Sequence, residues 1–186
     1  MRIIAGTLKG RTLASPTWPG LRPTSDRLRE TLFSVLGADV EDARLLDVCA
    51  GTGAIALEAL SRGAARVTCL ESDTRAVALI AANAARVGAE NRCIIVRGDA
   101  PAALTAAALG GPFDLIVLDP PYAAPWLDQA VAAAARLLAP SGRLALEHAA
   151  RRAAPEVPGL RLERTRRAGD SALSTYRADE REAGTS

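Results

Sequence analysis

The chain has 186 residues, of which 49% are apolar and 24% charged, enough for one domain with a real core and at most a small appendage. The net charge is only +2, and no apolar run approaches the roughly 18–20 residues of a membrane span. The start, Met1-Arg2-Ile3-Ile4-Ala5-Gly6, lacks the pattern of a secretory signal, so a cytoplasmic protein is expected.

Residues 1–13 alternate apolar and polar, with Gly6 and Gly10 as punctuation, and predict a basic β-hairpin. Pro16, Pro19, Gly20 and Pro23 mark a loop. A helix follows near 25–36, capped by Thr24, Ser25 or Asp26 and stopped by Gly37. Its core face is expected to carry Leu28, Leu32, Val35 and Leu36, leaving the arginines outside. From Arg44 strands and helices alternate. Strands are expected at 45–50, 66–70, 93–96, 113–118 and 143–147, with helices at 54–61, 73–87, 101–109 and 127–138. Such repetition predicts a mostly parallel sheet covered by helices, an α/β fold. Residues 160–165 and 172–177 alternate with period two and predict an antiparallel hairpin at one edge. The expected division is a basic extension over 1–40, an α/β domain over 41–178 and a polar tail over 179–186.

Charge is unevenly spread. Residues 1–30 hold Arg2, Lys9, Arg11, Arg22, Arg27 and Arg29, and residues 151–167 hold Arg151, Arg152, Arg161, Arg164, Arg166 and Arg167. Clusters of this kind suit a polyanion. Cys49, Cys69 and Cys93 lack metal-type spacing and are expected as buried free thiols. The single histidine, His148, has no nearby cysteine partner, so no metal site is expected.

Four acidic positions fall at the carboxyl ends of predicted strands, where open α/β sheets bind ligands. Asp47 precedes the turn Ala50-Gly51-Thr52-Gly53, whose glycines let backbone approach a ligand. Glu71, beside Ser72, lies 20 residues beyond Gly51, where a carboxylate takes ribose hydroxyls. Asp99, between Gly98 and Ala100, can accept from an adenine amino group. Gly-x-Gly-x-x-Ala alone fits a nicotinamide or flavin dinucleotide as well as S-adenosylmethionine. The fourth acid opens Asp119-Pro120-Pro121-Tyr122. Proline has no N–H, so the Pro120 carbonyl is displayed. A carboxylate and a carbonyl can accept from one planar amine while Tyr122 stacks on its ring. An oxidoreductase leaves this run unexplained, and a binding module with a dead fold leaves the acids at 47, 71, 99 and 119 unexplained. A DNA adenine-N6 methyltransferase uses a similar Pro-Pro platform but usually carries a separate recognition region, and none is evident in these 186 residues.

The run resembles the amino-methyltransferase signature Asn/Asp-Pro-Pro-Tyr/Phe. Arg2-Ile3-Ile4-Ala5-Gly6, Lys9-Gly10-Arg11, Leu21-Arg22-Pro23-Thr24, Asp26 to Phe33, Ala50 to Ala54 with Glu58 to Arg62, and Gly169-Asp170-Ser171 before Tyr176 resemble the RsmD family. The resemblance covers nearly the whole chain, although residues 149–160 match nothing in it. It implies a Rossmann-like class I methyltransferase with an N-terminal extension, acting on 16S rRNA; a monomer is expected, and naked RNA or an assembling small ribosomal subunit can be the substrate, the subunit being the expectation. The implied reaction is S-adenosylmethionine-dependent methylation of a guanine N2. The cofactor residues would be Asp47, Ala50, Gly51, Thr52, Gly53, Glu71, Ser72, Gly98, Asp99, Ala100 and Asp119. The catalytic group would be Asp119, Pro120, Pro121 and Tyr122, and the RNA contacts Arg2, Lys9, Arg11, Arg22, Arg27 and Arg29.

Overall fold

A computed structural model describes residues 1–21, 24–105 and 109–179. Seven strands form one sheet in the order β3-β2-β1-β4-β5-β7-β6. They are β1 (Arg44–Val48), β2 (Arg66–Glu71), β3 (Cys93–Arg97), β4 (Phe113–Leu118), β5 (Leu138–Ala149), β6 (Leu160–Ala168) and β7 (Ser171–Ala178). The first five run parallel, and β7 pairs antiparallel with both β5 and β6. The helices are α1 (Asp26–Leu36), α2 (Ala54–Ser61), α3 (Thr74–Val87) and α4 (Leu127–Ala135).

Strand order reverses at β1. The chain winds outward through β2 and β3, then returns to place β4 on the other side of β1. The crevice outside the carboxyl ends of β1 and β4 is therefore the switch point at which such sheets bind ligands. β1 and β4 carry almost uninterrupted apolar side chains because helices cover both faces of the sheet.

Helix boundaries follow from caps. Ser25 Oγ accepts from Leu28 N, and Asp73 accepts from Arg75 N at the head of α3. Gly88 ends α3 in the left-handed conformation. The α1 face differs from expectation. Its buried residues are Arg29, Leu32, Phe33 and Leu36, an i, i+3, i+4, i+7 stripe, while Leu28 is only half-buried.

The expected N-terminal hairpin reduces to one β-bridge, Arg2 with Thr12. The backbone donors of Ile4 and Ala5 turn instead to α2, where Glu58 Oε2 and Oε1 accept them at 2.7 and 2.9 Å. Ser61 Oγ accepts from Leu8 N at 2.9 Å and donates to Ala5 O at 2.5 Å. A Cβ on Gly6 would lie 1.8 Å from Ser61 O, so only glycine permits this approach. Ile3 and Leu13 join the core built on β1, α2 and α3.

Two other elements differ. A 3-10 turn over Ala102–Thr105 stands where a helix over 101–109 was expected, and 106–108 lie outside the described residues. α4 stops at Ala135, and β5 begins at Leu138, not Arg143, because the ladder with β4 jumps register and absorbs Pro140, Ser141 and Gly142. The expected tail lies outside the described residues beyond Asp179.

Candidate active site

β1 delivers Asp47 to the head of α2. The side chain is buried, and Oδ2 accepts from Ala56 N at 3.2 Å while Oδ1 has no partner among the described residues. Burial, and then the charge of Asp119, push its carboxyl well above the usual carboxylate range. A buried carboxylate oxygen left without a donor fits a site whose cationic partner arrives with a ligand.

The turn after β1 holds Cys49, Gly51 and Gly53 at positive φ. A Cβ on Gly53 would meet Ile80 Cγ2 at 3.0 Å, so glycine lets α2 settle against α3. Gly51 N donates to Glu71 Oε2 at 2.8 Å. Ser72 N and Asp73 N donate to Glu71 Oε1 at 2.8 and 2.9 Å. Three backbone donors thus fix Glu71 at the end of β2, on the edge of a cleft of about 200 Å³. Ser72, Gly98, Asp99 and Ala100 line the same cleft, and Cys49 and Trp126 join them. Burial, followed by Glu71, pushes the Cys49 thiol up to about 12, so it stays a neutral wall. Cys69 is buried and Cys93 half-buried, with their sulfurs 3.9 Å apart and no disulfide.

β4 delivers the platform beside this cleft. Val48 pairs with Leu118, and Asp119 N donates to Val48 O at 3.3 Å, so Asp119 stands next to the Asp47 turn. The Pro120 carbonyl accepts no hydrogen bond among the described residues. Tyr122 is 44% exposed, leaving its ring open to a partner, while its hydroxyl donates to Glu147 Oε1 at 2.8 Å. Thr24 Oγ1 donates to Asp119 Oδ2 at 2.5 Å, which brings the N-terminal extension to the acid. Leu21 Cδ1 lies 3.4 Å from the Cβ position of Gly51, so the same segment covers the glycine turn. Asn83 of α3 ties the extension to that turn, accepting from Ala14 N at 2.8 Å and donating to Thr52 O at 3.0 Å.

The expected RNA residues divide. Arg2, Lys9, Arg11 and Arg27 are exposed, and Arg22 lies outside the described residues. Arg29 is corrected: it is fully buried and cannot reach an RNA. Its guanidinium holds Glu58 at 3.3 Å, Asp26 at 2.6 Å and Arg2 O at 2.9 Å, joining α1 to α2 and the N-terminal segment. Arg161, Arg164, Arg166 and Arg167 stand exposed along edge strand β6, which ends on the same side of the sheet as the platform. His148 is buried, with Nε2 2.8 Å from Ser174 Oγ and Nδ1 3.1 Å from Ala149 O. Among the described residues no three acids, histidines or cysteines are grouped to hold a metal.

The family model described as conserved hypothetical protein 95 matches residues 1–177. The chain is 38% identical over 186 residues to ribosomal RNA small subunit methyltransferase D of Escherichia coli strain K12, covering 96% of this chain and 90% of that one. The chain belongs to the RsmD methyltransferase family. The structure of Escherichia coli yhhF superposes with a TM-score of 0.86 at 35% identity, covering 96% of this chain and 98% of that one. An RNA methyltransferase from Salinibacter ruber, solved with S-adenosyl-L-homocysteine, shares the fold at 19% identity and a TM-score of 0.65, over 86% of this chain and 95% of that one. The fold is that of class I methyltransferases, and the chain is a methyltransferase. Glu58 and Ser61 of α2 are the socket for the N-terminal segment.

Proposed function

We propose that the chain transfers a methyl group from S-adenosylmethionine to the exocyclic N2 of a specific guanine in 16S rRNA, acting in the cytoplasm on an assembling small subunit. The observation that carries the reading is the adjacency of two strand ends. β1 ends in a buried acid with a free oxygen, and β4 ends in an acid, a displayed carbonyl and an open tyrosine ring. The first suits the ammonium of an amino acid group, and the second suits an amine on a planar base.

When bound, S-adenosylmethionine supplies an electrophilic methyl on sulfonium, and no metal is required for that chemistry. Asp47 Oδ1 would take its ammonium, Glu71 its ribose and Asp99 its adenine amino group. The guanine N2 lone pair is delocalised into the ring. Asp119 and the Pro120 carbonyl, each accepting an N–H, would draw the nitrogen toward tetrahedral geometry and stabilise the charge that grows on it. Tyr122 would stack on the base, worth about 1–3 kcal/mol for base–aromatic contact. Because a base inside a duplex cannot reach the platform, the guanine must be unstacked or in a loop. Arg2, Lys9, Arg11 and Arg27, together with the arginines of β6, would hold phosphates.

The test is to offer labelled S-adenosylmethionine with unmethylated small subunits, naked 16S rRNA or duplex DNA, and to identify the modified nucleoside. N2-methylguanosine from RNA is expected. N6-methyladenine from DNA, with no product in RNA, would sink the reading.

A further inference from the structure

Glu147 lies near the end of β5 and borders the platform. β5 runs parallel to β4 with Leu146 opposite Leu118, so residues 119 and 147 emerge side by side at the carboxyl ends. Glu147 is 7% exposed. Tyr122 reaches its carboxyl, with the hydroxyl donating to Oε1 at 2.8 Å, and Ser171 at the start of β7 and the carboxyl of Asp119 are its polar neighbours. No arginine or lysine forms an ion pair with Glu147 or Asp119 among the described residues. Neighbouring His148 projects from the opposite face of β5 toward Ser174. Two neighbouring carboxyls with no cation paired to either among the described residues do not both ionise readily, and a hydrogen bond between them would require one proton.

We propose that Glu147 is a positioning residue of the methyl-transfer site, which keeps its proton and donates it to Asp119 so that the pair carries one negative charge, held on Asp119. The inference rests on the reading of Asp119 as the acceptor of the guanine amine. Burial first, and then contact with Asp119, push the Glu147 carboxyl up to about 9 against the opposing effects of Tyr122 and Ser171, in accord with a protonated acid at neutral pH. Two donors then fix the Asp119 carboxylate, Thr24 on Oδ2 and Glu147 from the side of β5. The same carboxyl accepts from Tyr122 and so sets the angle of the ring that stacks on the base. When the methylated nitrogen sheds a proton, the proton goes to Asp119, the nitrogen keeps the bonding pair, and the pair of acids passes from one negative charge to neutral. A singly charged pair can accept that proton without first losing one.

The test combines a spectroscopic titration with a conservative variant. The C=O stretch of protonated carboxylic acid is recorded in cofactor-free wild type and Glu147→Gln from neutral to alkaline pH. Wild type should show a protonated-acid band that the variant lacks and that fades toward pH 9. Absence of that difference band at neutral pH would overturn the proposal. In transfer assays, Glu147→Gln keeps an N–H donor toward Asp119 and should stay within about threefold of wild type. Glu147→Leu should lose about tenfold or more in kcat, with KM for S-adenosylmethionine unchanged. A glutamine variant as impaired as the leucine variant would show that Glu147 must ionise, which contradicts the proposal. Should wild type methylate no RNA while the band is present, the functional reading fails and the protonation of Glu147 stands.

Discussion

Thr24 Oγ1 lies 2.5 Å from Asp119 Oδ2, so the segment leading into α1 touches the acid at the end of β4. The extension therefore has a part in the site as well as in any RNA surface. A hydrogen bond to a charged group contributes about 1.5–3 kcal/mol. Thr24→Val keeps the shape and removes the donor. Methyl transfer should fall about tenfold or more, with affinity for S-adenosylmethionine within about twofold. Single-turnover kinetics beside equilibrium binding checks this, and an unchanged rate would contradict it.

Asp47 is held at a cost to stability, because burial disfavours its charge. Asp47→Asn can keep the acceptor for Ala56 N while removing that charge. Thermal unfolding without cofactor should show a gain on the order of 1 kcal/mol. Calorimetry should show cofactor affinity reduced about tenfold or more, since the ammonium loses its counter-charge. A lower melting temperature with unchanged affinity would refute this trade between stability and binding.

The same acids set the pH dependence of the fold. Glu147 is raised from about 4.5 to about 9, first by burial, and Asp47 is raised as well. Each binds its proton more tightly folded than unfolded. The contribution is complete below the unfolded value and is lost as pH rises toward the folded one. Cofactor-free protein should lose stability between about pH 4.5 and about pH 9, and Glu147→Gln should flatten that slope. Denaturant titrations across this range measure it, and identical slopes in the two proteins would contradict the assignment.

Arg29 gives a prediction opposite to the one its sequence neighbourhood suggests. Removing one partner of a buried ion pair costs about 3–5 kcal/mol. Arg29→Met should lower stability by that order, and the folded fraction should bind RNA with an unchanged salt slope. Lys9→Ala and Arg27→Ala should do the reverse, leaving stability alone and reducing the slope of log affinity against log salt by about 1 each. Filter binding at several salt concentrations separates the two outcomes, and an unchanged slope for Lys9 and Arg27 removes them from the RNA surface.

These residues show what could be read from the chain and what could not. The run Phe113-Asp114-Leu115-Ile116-Val117-Leu118 announced β4 because a strand buried on both faces needs continuous apolar side chains. Asp73 and Gly88 bounded α3 because caps are local chemistry. Pro140 and Gly142 concealed the first half of β5, since only the register jump against β4 accommodates them. Arg29 looked like a surface charge because arginine is rarely buried, and its pairing with Glu58 joins positions 29 residues apart. Glu147 carried one usable signal, an acid ending the strand after the platform, but its place beside Asp119 depends on the pairing of β4 with β5.

The central claim is that Asp119 acts chiefly on the acceptor amine, with at most a minor part in holding the cofactor. Asp119→Ala tests it most directly, with methyl transfer to unmethylated small subunits and S-adenosylmethionine affinity measured on the same preparation. Transfer should fall about a hundredfold or more while affinity stays within about threefold. Loss of affinity in step with loss of transfer, or transfer at the wild-type rate, would contradict the role assigned to Asp119.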